Sequence, residues 1–226
     1  MMDEESRGYD KIRIVYIRGG RTMYKHIIWD FDGTLFDTYP VMAGSFKETL
    51  ESQGIEEPLE EITKHMKVSM TYAFNHYGEK YGIGDEFITA YDSRRKAVEF
   101  DLSKPFEGIV EVCKYIHSTG RRNYLYTHRG ESSIKMLESY GLTGYFSDFI
   151  TSQHGFERKP SPDAIQHLIR THHIDHSEAI MIGDRDLDLE AGKNAGISSC
   201  FFTDKMEENP HADYVVTSVE ELYSII

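Results

Sequence analysis

A chain of 226 residues with 39% hydrophobic and 28% charged side chains can bury a full core in one or two domains, and is not of disordered composition. Its formal charge of −13 excludes nucleic acid as a bulk partner, because binding a phosphate backbone draws on clustered Lys and Arg. No apolar run approaches the roughly 18–20 residues that cross a bilayer, so no membrane partner is expected, and the polar, acidic first residues lack the apolar core of a signal peptide. Cys113 and Cys200 are too few for a metal site of their own and read as buried residues in a reducing compartment, which places the protein in the cytoplasm.

Along the chain, residues 1–22 read as an extension unlike the rest. Residues 12–17 could form a short strand, which Arg18-Gly19-Gly20-Arg21 then breaks. Codons for Arg18-Gly19-Gly20 can also spell a purine-rich ribosome-binding sequence, so Met23 is expected to be the natural start if the source is bacterial. The apolar run Ile27-Ile28-Trp29 stops at Asp30-Phe31-Asp32-Gly33 as a buried strand stops at a turn. Residues 41–100 carry apolar side chains at helical spacing, among them Phe46, Leu50, Met66, Met70, Phe74 and Tyr77, and glycines and a proline divide them into three or four helices.

Helices and strands then alternate. Helices over 108–118, 132–140, 187–195 and 219–225, and one after Pro162, separate strands at 123–126, 149–150, 179–182, 200–202 and 214–216. That alternation specifies a doubly wound, Rossmann-like parallel sheet covered on both faces. The expected organisation is an α/β core from residues 23–38 and 105–226, with an α-helical cap from residues 39–104 inserted after the first strand.

Ligands of a doubly wound sheet bind beyond the carboxyl ends of its strands, and four proposed strands end there in residues suited to phosphate chemistry. Asp30 and Asp32, at i and i+2, project to the same side of an extended chain, and Gly33 lets the backbone turn past them. Two carboxylates so close repel unless one is protonated or a cation intervenes. The next strand ends at Thr127, a hydroxyl donor. Lys159 stands just ahead of a helix start in Lys159-Pro160-Ser161-Pro162-Asp163, and Asp184, Asp186 and Asp188 follow the strand at 179–182. Taken singly, each has an ordinary explanation as a turn, a cap or a solvated side chain. In this order and at these places they point to one anion-handling site.

These four segments, Asp30-Phe31-Asp32-Gly33-Thr34, Thr127, Lys159-Pro160-Ser161-Pro162-Asp163 and Gly183-Asp184-Arg185-Asp186-Leu187-Asp188, resemble the motifs of the haloacid-dehalogenase-like hydrolases, in particular the phosphoglycolate-phosphatase-like group with its small helical cap. The resemblance implies a Mg²⁺-dependent phosphatase acting on a small phosphorylated metabolite, as a monomer or weak homodimer. It implies Asp30 as the nucleophile that becomes an aspartyl phosphate and Asp32 as acid and base. It further implies Mg²⁺ on the carboxylates of Asp30 and Asp184 and the backbone carbonyl of Asp32, charge stabilisation by Thr127 and Lys159, and Asp188 orienting Lys159 or the metal waters. Gly33 and His128 would border the substrate. His128 departs from the Asn that many relatives show there.

Asp32 argues against C–halogen cleavage, since dehalogenases lack an acid at that position. A phosphonatase would need a Schiff-base lysine in the cap, and the surroundings of Lys64 and Lys67 do not resemble that subgroup. A hexose-phosphate mutase of the β-phosphoglucomutase type, an inorganic pyrophosphatase and a non-catalytic binding protein remain as alternatives on the same fold. Lys67 is a candidate reader of the substrate's far end, against the plainer reading of a solvated helix face. His167, His172, His173 and His176 read as a helix end and its loop rather than a metal site.

Overall fold

The computed structural model describes residues 24–205 and 207–226. The residue 12–17 strand, the extension over 1–22 and the proposed start at Met23 lie outside the described residues.

Strand β1 (His26–Trp29) is the first sheet strand among the described residues, and its register shows why the run Ile27 to Trp29 is apolar throughout. Ile27 and Trp29 enter one hydrophobic cluster while Ile28 enters another across the sheet, so both faces are covered. Strand β6 (Ala179–Gly183) divides the same way, with Ile180 and Ile182 on the first face and Ala179 and Met181 on the second. With β4 (Arg122–Tyr126), β5 (Phe146–Ile150), β7 (Ser198–Phe202) and β8 (Tyr214–Val216), they form a six-stranded parallel sheet of order β5-β4-β1-β6-β7-β8. Chain order departs in both directions from β1. The crevice at the carboxyl ends of β1, β4 and β6 is therefore the switch point where such sheets bind ligands.

Helices α5 (Ile109–Ser118), α6 (Ser132–Ser139), α7 (Asp163–His172), α8 (Asp186–Asn194) and α9 (Val219–Leu222) link and flank the strands, within a few residues of the sequence-predicted spans. Between β1 and β4 lie α1 (Tyr39–Glu51), α2 (Leu59–Val68), α3 (Met70–Tyr81) and α4 (Asp85–Leu102). Their apolar stripes meet in a third cluster centred on Phe46, whose ring contacts Phe74, Tyr77, Phe87 and Tyr91 at centroid distances of 4.8–5.7 Å. Four helices that share a core of their own form the cap.

A short ribbon is absent from the sequence reading. Phe36–Asp37 (β2) pairs antiparallel with Lys104–Pro105 (β3), a two-residue ribbon where the chain leaves and re-enters the sheet-bearing core. Lys104, expected as the last cap residue, lies in this ribbon. Strands of two residues carry no periodicity, and Pro105 disguises one of them.

A buried asparagine locks the first strands together. Asn123 Oδ1 accepts from Trp29 Nε1 at 2.9 Å, and its Nδ2 donates to the carbonyls of Cys113 and Tyr145, each at 3.0 Å. Replacing it with leucine would leave the indole N–H of Trp29 buried without its acceptor, worth about 1–3 kcal/mol, and would remove the donor to two carbonyls. Asn123→Leu is expected to destabilise the fold by about 2–4 kcal/mol, read from the midpoint of urea unfolding.

Candidate functional site

Lys159 organises the switch-point crevice. Its Nζ donates to Asp30 Oδ1 at 2.5 Å, Asp188 Oδ1 at 2.7 Å and the carbonyl of Tyr126 at 2.8 Å, which uses all three ammonium protons. The side chains of Lys159, Asp30 and Asp188 are each at most 1% exposed. Burial opposes the charge on Lys159, but Asp188 and Asp30 more than offset it and hold its pKa above the ordinary value. The lysine's backbone is anchored as well, since its N–H donates to His128 Nε2 at 2.9 Å. Burial first, and the cations Lys159 and Arg158 next, push the His128 pKa down to about 3, so the ring is a neutral acceptor.

Asp30, Asp184 and Asp188 place carboxylate oxygens within 4.8 Å of one another, the arrangement of a cation site. Their oxygens are not equivalent. Both of Asp188 are engaged, one by Lys159 and the other by the backbone N–H of Arg185 at 3.2 Å. Asp30 Oδ2 and both oxygens of Asp184 are buried with no hydrogen-bond partner. Burial pushes the Asp30 and Asp184 carboxyls up; for Asp30, Asp188 adds to the rise against the pull of Lys159, while for Asp184, Arg185 counters it. Buried, unpartnered carboxylate oxygens are what a hard cation satisfies. Asp30 and Asp184 therefore fit a divalent ion, whereas Asp188 is occupied in holding Lys159. Asp186, grouped with them by sequence, turns away and accepts from Asn209 Nδ2 at 2.7 Å.

Two glycines allow this closeness. A Cβ on Gly33, whose φ is +75°, would lie 2.4 Å from Asp184 Oδ2, and one on Gly183 would lie 2.2 Å from Asp188 Cβ. The Gly33 N–H is used within the loop, donating to the Phe36 carbonyl at 2.8 Å.

Above the acids lies a cavity of about 580 Å³ between core and cap. Asp32, His128, Arg129, Lys159 and Arg185 line it from the core, and Tyr39, Met66, Phe74 and Arg95 from the helices. Asp32 accepts from Thr38 Oγ1 at 2.6 Å and from Arg129 Nε at 2.6 and 2.8 Å. The Thr127 hydroxyl accepts the Arg129 N–H at 3.1 Å, which leaves its own proton to give. Asp30, Asp32, Gly33, Thr127, His128, Lys159, Asp184 and Asp188 thus gather at one place. Lys67 is exposed at the edge of this site: its Nζ lies 5.4 Å from the centroid of the Tyr39 ring, which lines the cavity, and its charge acts on Asp184. The histidines of 167–176 do not converge: His172 pairs with Asp148 at 2.9 Å and His167 packs on Phe156.

Sequence reasoning missed two arginines. Arg185 lies 3.5 Å from Asp188 and 3.9 Å from Asp30 and Asp184, a second cation over the acids. Arg129 clamps Asp32. Each sits at a strand's carboxyl end, beside or within a segment already singled out, and that position was the available signal.

Residues 27–202 match the haloacid dehalogenase-like hydrolase family. A phosphoglycolate phosphatase of Vibrio parahaemolyticus is 26% identical over 89% of this chain and 96% of its own length. A pyrophosphatase PpaX of Halalkalibacterium halodurans is 25% identical over 88% and 95%. The crystal structure of a hydrolase from Streptococcus pneumoniae superposes with a TM-score of 0.62 at 33% identity, covering 80% of this chain and 93% of that one.

The glycine constraint can be isolated. Gly54 has φ +77° with nothing near its Cβ position, so Gly54→Ala should cost only the left-handed backbone term of about 1–2 kcal/mol. Gly33→Ala is expected to cost distinctly more, because its methyl also collides with Asp184 and Tyr39; thermal denaturation of the two variants side by side reads the difference.

Proposed function

Because the chain belongs to the haloacid dehalogenase-like hydrolases, we propose that it is a Mg²⁺-dependent phosphatase that transfers the phosphoryl group of a small phosphomonoester to Asp30 and then to water. The observation that carries this reading is the division of labour among the buried acids. Lys159 and Asp188 satisfy each other, while Asp30 Oδ2 and Asp184 are left unpartnered for a cation. A structural ion-pair network would have no reason to leave those oxygens open.

Asp30, held in place by Lys159, attacks phosphorus. Asp32 gives its proton to the leaving oxygen, and later takes one from the water that hydrolyses the aspartyl phosphate. Lys159 and the Thr127 hydroxyl stabilise charge on the transferring group, and Asp188 keeps Lys159 aimed. Asp30, Asp184 and the backbone carbonyl of Asp32 would hold Mg²⁺, which supplies charge neutralisation at the phosphoryl oxygens. The cap excludes bulk water and limits the substrate to what a cavity of about 580 Å³ admits. Relatives named for phosphoglycolate and for pyrophosphate support a small substrate with a second anionic group. Arg158, at the rim beside the neutral His128 ring at 3.1 Å, suits such a group. A screen over phosphoglycolate, sugar phosphates, nucleotides and pyrophosphate, with analysis for isomerised sugar phosphate, separates phosphatase, pyrophosphatase and mutase.

Two outcomes are expected. Asp30→Asn should lower kcat for phosphate release by about a thousandfold or more, while circular dichroism shows the fold retained. Mg²⁺ at about 100 times its Kd should raise the stability of the wild type by about 2.7 kcal/mol, and Asp184→Asn should largely abolish that gain. Phosphate release by Asp30→Asn at the wild-type rate would remove the nucleophile assignment.

A further inference from the structure

Arg129 lies outside every segment that carries the family resemblance, yet it lines the cavity and bridges core and cap. On one side its Nε donates to both oxygens of Asp32, at 2.6 and 2.8 Å. On the other it meets the cap: Nη1 is 2.6 Å from Glu99 Oε1 on α4, though not aligned as a hydrogen bond, and Nη2 is 3.4 Å from Met42 Sδ on α1. The Phe31 ring lies beside the guanidinium, 5.5 Å from its centroid. Glu99 is itself 4% exposed and shared, because Arg95 of the same helix reaches its other oxygen at 2.6 Å.

The arrangement is specific in a way that simple charge balance does not require. An aspartate beside a reacting ester has two side-chain torsions to fix, and misplacement by about 1 Å can cost a hundredfold in rate. A guanidinium is planar and always charged, so a carboxylate it grips cannot turn freely. The same rigid group touches Glu99, which moves with α4. If α4 lifts from the core, Arg129 loses half of its buried counter-charge and its second anchor. Orientation of Asp32 and seating of the cap therefore share one side chain.

We propose that Arg129 is a positioning residue that holds Asp32 in its acid–base orientation, and that Glu99 makes this hold conditional on α4 being docked against the core. The proposal rests on the phosphatase reading above. In the first step the proton of the Asp32 carboxyl passes to the ester oxygen as the bond from phosphorus to that oxygen breaks and the bond from Asp30 to phosphorus forms. An alkyl leaving group needs that proton. A nitrophenolate leaves as a stable anion and does not.

The test is the ratio of kcat/KM for an alkyl phosphate to that for p-nitrophenyl phosphate, the alkyl probe being the best substrate from a panel headed by phosphoglycolate. This parameter covers the steps up to release of the leaving group. Arg129→Gln is expected to lower kcat/KM for the alkyl phosphate about 100-fold and for p-nitrophenyl phosphate less than about tenfold, as loss of general-acid assistance should. Arg129→Lys, which keeps the charge but not the fork, should fall between wild type and Arg129→Gln in that ratio. Glu99→Gln should shift the ratio in the same direction, and adding it to Arg129→Gln should shift it no further. Unfolding midpoints identify any variant that fails to fold; if Arg129→Gln does, Arg129→Lys decides. Equal slowing of both substrates in a folded variant would overturn the positioning role, and an unchanged ratio in Glu99→Gln would overturn the coupling to the cap. A wild type that releases phosphate from neither class would instead overturn the phosphatase reading, and the proposal with it.

Discussion

The site depends on one buried ammonium. Lys159 closes the gap between Asp30 at the end of β1 and Asp188 at the start of α8, while its chain position is fixed from behind by the neutral His128 ring. Three carboxylates, Asp30, Asp184 and Asp188, face two cations, Lys159 and Arg185, so ionising all three acids would leave one negative charge uncompensated in a region with little solvent. Removing one partner from such a buried set typically costs about 3–5 kcal/mol, because the other is left unpaired. The same imbalance makes a divalent cation favourable there. Stability of the cluster and its chemistry have one electrostatic origin.

The fold serves that cluster by bringing backbone close. The parallel sheet delivers acids from β1 and β6 side by side, and Gly33 and Gly183 remove the side chains that would keep the loops apart. Helices α1 to α4 have a separate aromatic core around Phe46 and are joined to the sheet-bearing core at the β2–β3 ribbon. The cap has a core of its own, and its link to the reacting groups runs through the surroundings of Asp32. Asp30 and Lys159 belong wholly to the core; Asp32 reaches Arg129, and through it Glu99 of the cap.

Much of this was legible in the sequence, for reasons that differ by residue. Asp30 and Asp32 could be read as a pair because strand geometry puts i and i+2 on one side, and Ile27 to Trp29 as a buried strand because a sheet covered on both faces tolerates no polar alternation. Lys159 and Asp184 followed from the rule that ligands gather at strand carboxyl ends. Only the place of Arg129, just after β4, was legible; its role was not, since that comes from Glu99, some thirty residues away on a helix whose rotation about its own axis no local pattern specifies. Lys67 was legible only as one of two readings: helical spacing left open which way it faced, and it lies exposed beside the cavity-lining Tyr39 ring, with its charge acting on Asp184. Asp186 was grouped with its neighbours by spacing alone, and the first turn of α8 directs it to Asn209 instead.

The central claim is that Asp30 takes the phosphoryl group. Its most direct test is to quench the enzyme with borohydride during turnover of its best substrate with Mg²⁺, and to map the product by mass spectrometry. An aspartyl phosphate is reduced to homoserine, and the account requires homoserine at residue 30, in proportion to the enzyme trapped. Efficient turnover with an unmodified Asp30, or reduction at another carboxylate, would contradict it.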